Sequence, residues 1–404
     1  MSVCPTCLKS FERKAGLNQH LNRKIPCKAA VVANPVVPNT AVDMVHSSFQ
    51  NTALSLFSGC GGDTLGLERA GFKVSAFSEL KKIVADSHIQ NFPDAKLITD
   101  TAGKSGDITK IEDSQFIPYT GKTDIIFAGF PCQGFSHAGK KNKEDPRNQL
   151  YLQFVRAVKI VRPLFIIGEN VQGLISMKSG PNKTDPLMIE RIRDAFEEIG
   201  YSISYKVLEA VNFGVPQRRK RMLIIGWDNS RIKKFTPTKF WQNVEENGLK
   251  HTATNIRSFV TNSMEGAYYI PTANIPDDFA TYALPVPQDS VPTGSPHPYV
   301  VLKTDSNLLS CCKRISPIHS EIIDVDAPAK TIICTYGHQP RLLLGLRKPD
   351  GTSYARTLLP DELKQIQGFP ADYKLLGSVS EKIIQIGNAV PPPMIEALAN
   401  AIRG

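Results

Sequence analysis

A doubly wound α/β fold is what this 404-residue sequence predicts, and three observations predict it. Short apolar runs of strand length recur at residues 53–57, 124–128, 164–167 and 222–226. Stretches with helical spacing of apolar residues stand between them. The first run feeds directly into a glycine-rich turn, Gly59-Cys60-Gly61-Gly62, which opens a helix-like segment. Alternation of this kind argues for a sheet covered by helices on both faces.

Taken in order, the chain opens on a compact Cys/His/basic unit. Residues 1–28 carry Cys4-x2-Cys7-x12-His20-x6-Cys27, with Phe11 and Leu17 where a ββα finger sets its small core. Cys4, Cys7 and His20 are spaced as zinc ligands, and the gap before Cys27 slightly exceeds the usual range. The set predicts one structural Zn2+ on Cys4, Cys7, His20 and Cys27; a basic tail with incidental cysteines is the competing reading. Lys9, Arg13, Lys14, Arg23, Lys24 and Lys28 stand here against Glu12 alone, in a chain of formal net charge +10. Such a balance suits a polyanionic partner without proving one. One finger reads only about 3 bp, so DNA and a protein partner both stay open. Residues 29–50, rich in Ala, Val, Pro and Ser, lack apolar periodicity and read as a linker.

The regular alternation begins at residue 51 and runs to about 228. Tyr151, Phe154, Val155 and Val158 recur at helical spacing, and Asp185-Pro186 reads as the start of a helix that Gly200 ends. From about 229 to 335 prolines recur (Pro271, Pro276, Pro285, Pro287, Pro292) and no helical period persists. That predicts a smaller domain of short strands and loops over 229–374. Ile395, Leu398, Ala399 and Ile402 mark a final amphipathic helix, so residues 375–404 are expected to complete the first domain. Eight cysteines, two of them adjacent at Cys311-Cys312, are not a disulfide framework. No apolar stretch has the length of a signal peptide or membrane span. A soluble intracellular protein is therefore expected.

Candidate chemistry collects where strands end. Gly59, Gly61 and Gly62 allow a sharp turn and close ligand approach to a helix N-terminus. Glu79 follows Gly59 by 20 residues, where a nucleotide-binding unit places a carboxylate for ribose hydroxyls. Asp107 lies in a Gly-Asp-Ile-Thr loop. Read alone, each of these is equally a tight turn or an exposed acid. Pro131-Cys132-Gln133 follows an apolar strand directly, bracketed by Gly129 and Gly134; Glu169-Asn170-Val171 ends the next. Adjacent parallel strands would set Glu169 beside Cys132 at the carboxyl edge of the sheet. Gln217-Arg218-Arg219-Lys220-Arg221 precedes one more strand and is either a solvated basic turn or part of a phosphate-lined pocket.

These elements, in this order, resemble the cytosine C5 DNA methyltransferase family over about residues 51–404. The resemblance implies a Rossmann-like, S-adenosylmethionine-dependent methyltransferase domain with a target-recognition domain, acting on double-stranded DNA. It implies cofactor contacts from Phe57, Ser58, Gly59, Gly61 and Gly62, a ribose-binding role for Glu79 and an adenine-binding role for Asp107. Cys132 matches the nucleophile and Glu169 the group that engages cytosine N3. Arg219 and Arg221 match the paired arginines of Q-x-R-x-R and are taken as catalytic. Arg356, Pro360, Glu362 and the Gln367-Gly368-Phe369-Pro370 run match a late structural motif. The run from Gln385 to Pro391, with Asn388, Ala389 and Val390, matches a final motif that returns to the cofactor. Leu80-Lys81-Lys82 and Gly168 depart from the family's usual residues.

The resemblance leaves two alternatives to a DNA enzyme. An RNA (tRNA) cytosine methyltransferase shares the fold, but that branch typically carries a Cys-Phe-Thr tripeptide, which this sequence lacks. A catalytically inactive DNA-binding regulator would not need Cys132 and Glu169.

Overall fold

A computed structural model describes residues 2–3, 10–11, 49–131, 149–180, 182, 184–249, 255–272, 275, 279–294, 300–302, 309–311, 320–338 and 340–403. The chain divides into two compact units, Met1–Thr40 and Ala41–Gly404. In the first, Ser2–Val3 pairs antiparallel with Ser10–Phe11. The expected zinc ligands Cys4, Cys7, His20 and Cys27 lie outside the described residues.

A seven-stranded sheet organises the second unit. Its strands are β1 (Thr52–Leu56), β2 (Lys73–Phe77), β3 (Lys96–Leu97), β4 (Ile125–Ala128), β5 (Phe165–Val171), β6 (Tyr201–Glu209) and β7 (Lys220–Asp228). Their order is β3-β2-β1-β4-β5-β7-β6. The central strands are mostly apolar because both of their faces are covered. Ala53, Ile125, Phe127, Phe165 and Ile167 join one core with helices α1 (Gly62–Arg69) and α2 (Lys82–Asn91). Leu54, Leu56, Ile126, Ala128 and Ile166 join the core on the opposite face, with α3 (Tyr151–Val161) and α4 (Met188–Glu197). The period of two along each strand thus assigns side chains to the two layers.

The doubly wound expectation holds for β1 to β5, which are parallel, and ends at β7, which runs antiparallel to both β5 and β6. Residues 210–219 join β6 to β7 without a crossover helix, so the two can pair only as an antiparallel ladder. Helix α4 starts at Met188 rather than at Pro186, with Glu190 reaching back to the Leu187 amide. Gly200, at φ 85°, follows it as expected.

The proline-rich region needs a larger correction. Residues 237–249 form a helix, α5 (Pro237–Leu249), and its Phe240, Trp241 and Val244 belong to the first core of the main sheet. Residues 229–249 therefore pack with the seven-stranded sheet rather than open a second domain. Beyond them, β8 (Tyr268–Ile270), β9 (Leu284–Pro285), β10 (Glu321–Ile322), β11 (Leu342–Arg347) and β12 (Ser353–Thr357) form a five-stranded sheet. β11 and β12 pair antiparallel; β9 and β10 are short and share the other edge of β11. A core containing Ile256, Leu344, Leu346, Ile332 and Ile383 lies against this sheet. It includes residues of α6 (Pro360–Ile366) and α7 (Val379–Asn388). The buried Arg356 donates to both carboxylate oxygens of Glu362, at 2.7 and 2.8 Å, and to the Thr261 and Ser263 carbonyls. Helix α8 (Pro392–Arg403) buries Ile395, Leu398, Ala399 and Ile402 against α1 and α5, as its periodicity predicts. Among the described residues no helix is long and apolar enough to cross a membrane.

Candidate active site

The ends of β1, β2, β4 and β5 surround a cavity of about 360 Å³. Its first wall is the turn after β1. Phe57 and Gly59 both have positive φ (54° and 57°), which folds the chain back on itself. The turn is tied to the end of β2 by Ser58 N–H donating to Ser78 O (3.0 Å) and Gly59 N–H donating to Glu79 Oε2 (3.0 Å). The other Glu79 oxygen accepts from Lys81 N (2.9 Å). Burial pushes the Glu79 carboxyl up, and these amide bonds oppose the shift. Asp107 is on the wall too, its Oδ1 accepting from Thr109 N (3.0 Å) and Thr109 Oγ1 (2.8 Å). Phe57, Ser58, Gly59, Glu79, Asp107, Asn388, Ala389 and Val390 all line this cavity.

Gly61 and Gly62 do not line the cavity. A Cβ on Gly61 would lie 2.8–2.9 Å from His88, Phe92 and Tyr373, and one on Gly62 2.5 Å from Val390 O. Their role is packing: they let α1 start against the final motif, and only Gly59 of the three faces a ligand space. Asp63, just inside α1, is a lining residue that sequence reasoning missed. It is 1% exposed, accepts from Ser58 Oγ (3.2 Å) and Ser55 Oγ, and burial pushes its carboxyl up to about 7. The neighbouring Cys60 thiol is pushed up to about 12, first by burial and then by Asp63, so it stays protonated.

Between about pH 4 and pH 7 folded Asp63 holds a proton that the unfolded chain has released. Its contribution to folding is complete below its ordinary value of 3.8 and is lost as pH rises through about 7. Asp63→Asn should gain stability relative to wild type over that window, by about 1 kcal/mol per pH unit at most. His88, whose burial gives the opposite slope, is common to both proteins and cancels. Urea unfolding at about pH 5, 6 and 7.5 measures the difference; a value flat with pH would show Asp63 charged throughout.

The second wall comes from β4, β5 and β7. Glu169 on β5 accepts from Arg221 Nε on β7 at 2.7 Å, both side chains 13% exposed. Glu169 Oε2 lies 3.9 Å from where a Cβ on Gly129 would sit, so the carboxylate stands over the end of β4. Gly168, bonded within the sheet between β4 and β7, leaves room there for Phe130 and Ile224. Asn170 Nδ2 donates to Phe130 O (3.0 Å) and Asn170 Oδ1 accepts from Val171 N (2.9 Å), which fixes the peptide two residues before Cys132. The sequence shows Asn170 beside Glu169 but gives no sign of this tether. Gly129, Phe130 and Pro131 line the cavity; Cys132 itself lies outside the described residues.

Arg219 is not a lining residue, contrary to its expected place beside Arg221. Strand alternation would set residues 219 and 221 on one face, but Arg219 precedes β7, which begins at Lys220, and so does not share that face. Arg219 is 0% exposed and donates to the carbonyls of Ile332 (2.8 Å), Gly387 (2.9 Å) and Ala389 (3.1 Å). Leu80, Lys81 and Gln385 are further lining residues without an assigned role. Leu80 is 64% exposed. Gln385 is buried, and its Oε1 has no partner among the described residues. Also among the described residues, no group of three His, Cys, Asp or Glu side chains could hold a metal ion.

A glycine turn, two acids at the ends of successive strands and a Glu–Arg pair on one sheet edge define a protein of the α/β methyltransferase fold. Solved structures share that fold: the Schizosaccharomyces pombe ("S. pombe") Dnmt2 methyltransferase (TM-score 0.56, 17% identity, 86% of this chain and 96% of that one) and the Entamoeba histolytica methyltransferase EhMeth (TM-score 0.55, 16% identity, 88% and 98%). Residues 51–404 match the family described as C-5 cytosine-specific DNA methylase. The chain is 30% identical over 372 residues to the Type II methyltransferase M1.HphI of Haemophilus parahaemolyticus, covering 87% of this chain and 86% of that protein. It is 31% identical over 360 residues to M.NgoFVII of Neisseria gonorrhoeae, covering 88% and 87%. The chain belongs to the C-5 cytosine-specific DNA methylases and is a DNA cytosine-5-methyltransferase.

Proposed function

We propose that the cavity binds S-adenosylmethionine and a flipped-out cytosine side by side, and that Cys132 is the nucleophile that activates the base. One observation carries this reading. The glycine turn with Glu79 and Asp107 shares a single cavity with the Glu169–Arg221 pair and with residues 129–131, which lead into Cys132. The donor set fits the cofactor: the half-buried acids Glu79 and Asp107 suit ribose hydroxyls and an adenine amino group, and Phe57 and Ile108 suit the adenine faces. When bound, S-adenosylmethionine supplies an electrophilic methyl group.

The protein's part follows from the chemistry of cytosine. C5 is a poor nucleophile until a thiolate adds at C6. An ordinary cysteine titrates at about 8.5, so few molecules carry the thiolate at neutral pH. Arg221, with Glu169, provides charge near the approach to Cys132. Glu169, carrying a proton in the complex, would donate it in a hydrogen bond to N3 and so stabilise the negative charge that thiolate attack pushes onto the ring. C5 then takes the methyl group, its proton passes to water or another base, and elimination frees Cys132. The target base must leave the duplex, at a cost of a few kcal/mol that backbone contacts offset.

Target choice falls to the five-stranded sheet and the loops around it. The expected range 229–374 narrows to about 250–374, since α5 packs with the cofactor layer. For residues 1–28 we retain the zinc finger on Cys4, Cys7, His20 and Cys27, with DNA or a protein as its partner. The antiparallel pairing of Ser2–Val3 with Ser10–Phe11 supports it, because that ladder brackets Cys4 and Cys7 as a ββα finger would.

Bisulfite sequencing of plasmid DNA from cells expressing the protein tests the activity, and unmethylated plasmid at every site would refute it. Mass spectrometry of the native full-length protein should find one zinc, lost when Cys4 and Cys7 become serine. Zinc-free wild-type protein would refute the finger.

A further inference from the structure

We propose that Arg219 is a positioning residue: it holds the cofactor-side turn at residues 387–389 against the segment that returns from the five-stranded sheet, and so links cofactor binding to DNA engagement. The proposal rests on the reading of the cavity as the S-adenosylmethionine site.

The geometry is a buried polar lattice, in which Arg219 Nε alone of the guanidinium nitrogens has no partner among the described residues. One Arg219 Nη donates to Ile332 O at 2.8 Å, and the other to Gly387 O and Ala389 O at 2.9 and 3.1 Å. Gln217 extends it, accepting from Ile332 N at 3.0 Å and donating to Gln367 Oε1 at 2.7 Å. Gln367 in turn donates to Ala389 O at 2.6 Å. Arg219, Gln217 and Gln367 are all 0% exposed. Three remote segments thus converge on the start of β7.

What those segments do gives the lattice its meaning. Gly387, Asn388 and Ala389 line the cavity. Ile332 follows Ala329–Lys330, which pairs in parallel with Gln217–Arg218, and its side chain belongs to the core of the five-stranded sheet. Arg221, two residues after Arg219 on the same stretch, holds Glu169. A shift of the returning segment must therefore disturb the cofactor wall and the Glu169 anchor together.

Arginine suits this position for a specific reason. Its flat fork can meet three carbonyls in fixed directions, which a lysine ammonium at the end of a flexible stem cannot do equally well. The acceptors are all neutral, and burial lowers the tendency of the guanidinium to stay charged. Arg221 repels it from nearby and Glu169 attracts it. Burying a cation against carbonyls alone is costly. That cost is consistent with a part whose value is alignment rather than stability.

The test is a binding cycle in the full-length protein. S-adenosylhomocysteine is titrated by calorimetry with and without a duplex carrying a site mapped by bisulfite sequencing. In wild type, the duplex should tighten S-adenosylhomocysteine binding by about tenfold, within the range of ordinary site-to-site coupling. Arg219→Lys should weaken binding at least tenfold and reduce the coupling to less than twofold. Gln367→Met, which removes a bond to Ala389 O but keeps volume, should do the same more weakly and decides the matter if Arg219→Lys does not fold. A folded variant with wild-type affinity and coupling would overturn the proposal. So would a variant that loses kcat alone, since that would make Arg219 a reacting group. Wild-type protein that binds no S-adenosylhomocysteine would instead overturn the reading of the cavity, and the proposal with it.

Discussion

Cys132→Ser is expected to lose methyl transfer by on the order of 10^4-fold or more, the scale of loss when a covalent nucleophile is removed. A serine hydroxyl is far less acidic than a thiol, so no group on the loop would supply the anion that adds to C6. S-adenosylhomocysteine affinity should change less than twofold, because the proposed cofactor wall, residues 57–59, 79, 107 and 388–390 of the cavity, does not include residue 132. The frame that presents the loop should also survive, since Asn170 holds the Phe130 carbonyl independently of residue 132. A duplex with 5-fluorocytosine at the target gives the positive form of the test. Fluorine at C5 blocks the elimination that normally frees the enzyme, so wild type should form an adduct that resists denaturation. An adduct formed equally by Cys132→Ser, or none formed by wild type on a methylatable site, would remove Cys132 from the mechanism.

How far the site could be read from the sequence depended on what each residue's job was. Residues whose role is set by local chain direction were legible. An apolar run ending in a polar or glycine-rich turn places Glu169 and the approach to Cys132 at one sheet edge, and the 20-residue spacing from Gly59 adds Glu79; all of them line one cavity. Residues whose role depends on distant segments were not. Arg219 and Arg221 look alike in the sequence, yet one is sealed under carbonyls from residues 332, 387 and 389 while the other reaches Glu169. Gly61 and Gly62 look like ligand-facing glycines, but the atoms that forbid a side chain there come from residues 88, 92, 373 and 390. Asp63 carries no motif of its own, and only burial against Ser55 and Ser58 makes it unusual. The same limit applies to the fold. β6 was missed because most of its residues are only half-buried, and α5 because its core apolar set is short, Phe240, Trp241 and Val244, just ahead of the proline-rich stretch. Gly248 is needed there, since a Cβ would meet Phe213 at 2.7 Å.

The Glu169–Arg221 pair gives the second large effect, and its form is as informative as its size. Glu169→Gln should lower kcat by about 10^2- to 10^3-fold, the usual loss when one preorganised group facing developing charge is removed. Arg221→Ala should cost a similar amount by a different route. The two side chains meet at 2.7 Å in a largely desolvated wall, so deleting the cation leaves the carboxylate without its anchor. If Arg221 acts chiefly by orienting Glu169, then once Glu169 is glutamine little remains for Arg221 to do. The double variant should therefore be slower than either single variant by less than about tenfold, far short of the product of the two losses. Arg221→Lys keeps the charge but not the Nε geometry, and should recover only part of the rate. Single-turnover rates with saturating cofactor and duplex read the chemical step without product release. Losses that multiply in the double variant would show two independent contributions, with Arg221 acting on the base or its phosphate directly rather than through Glu169.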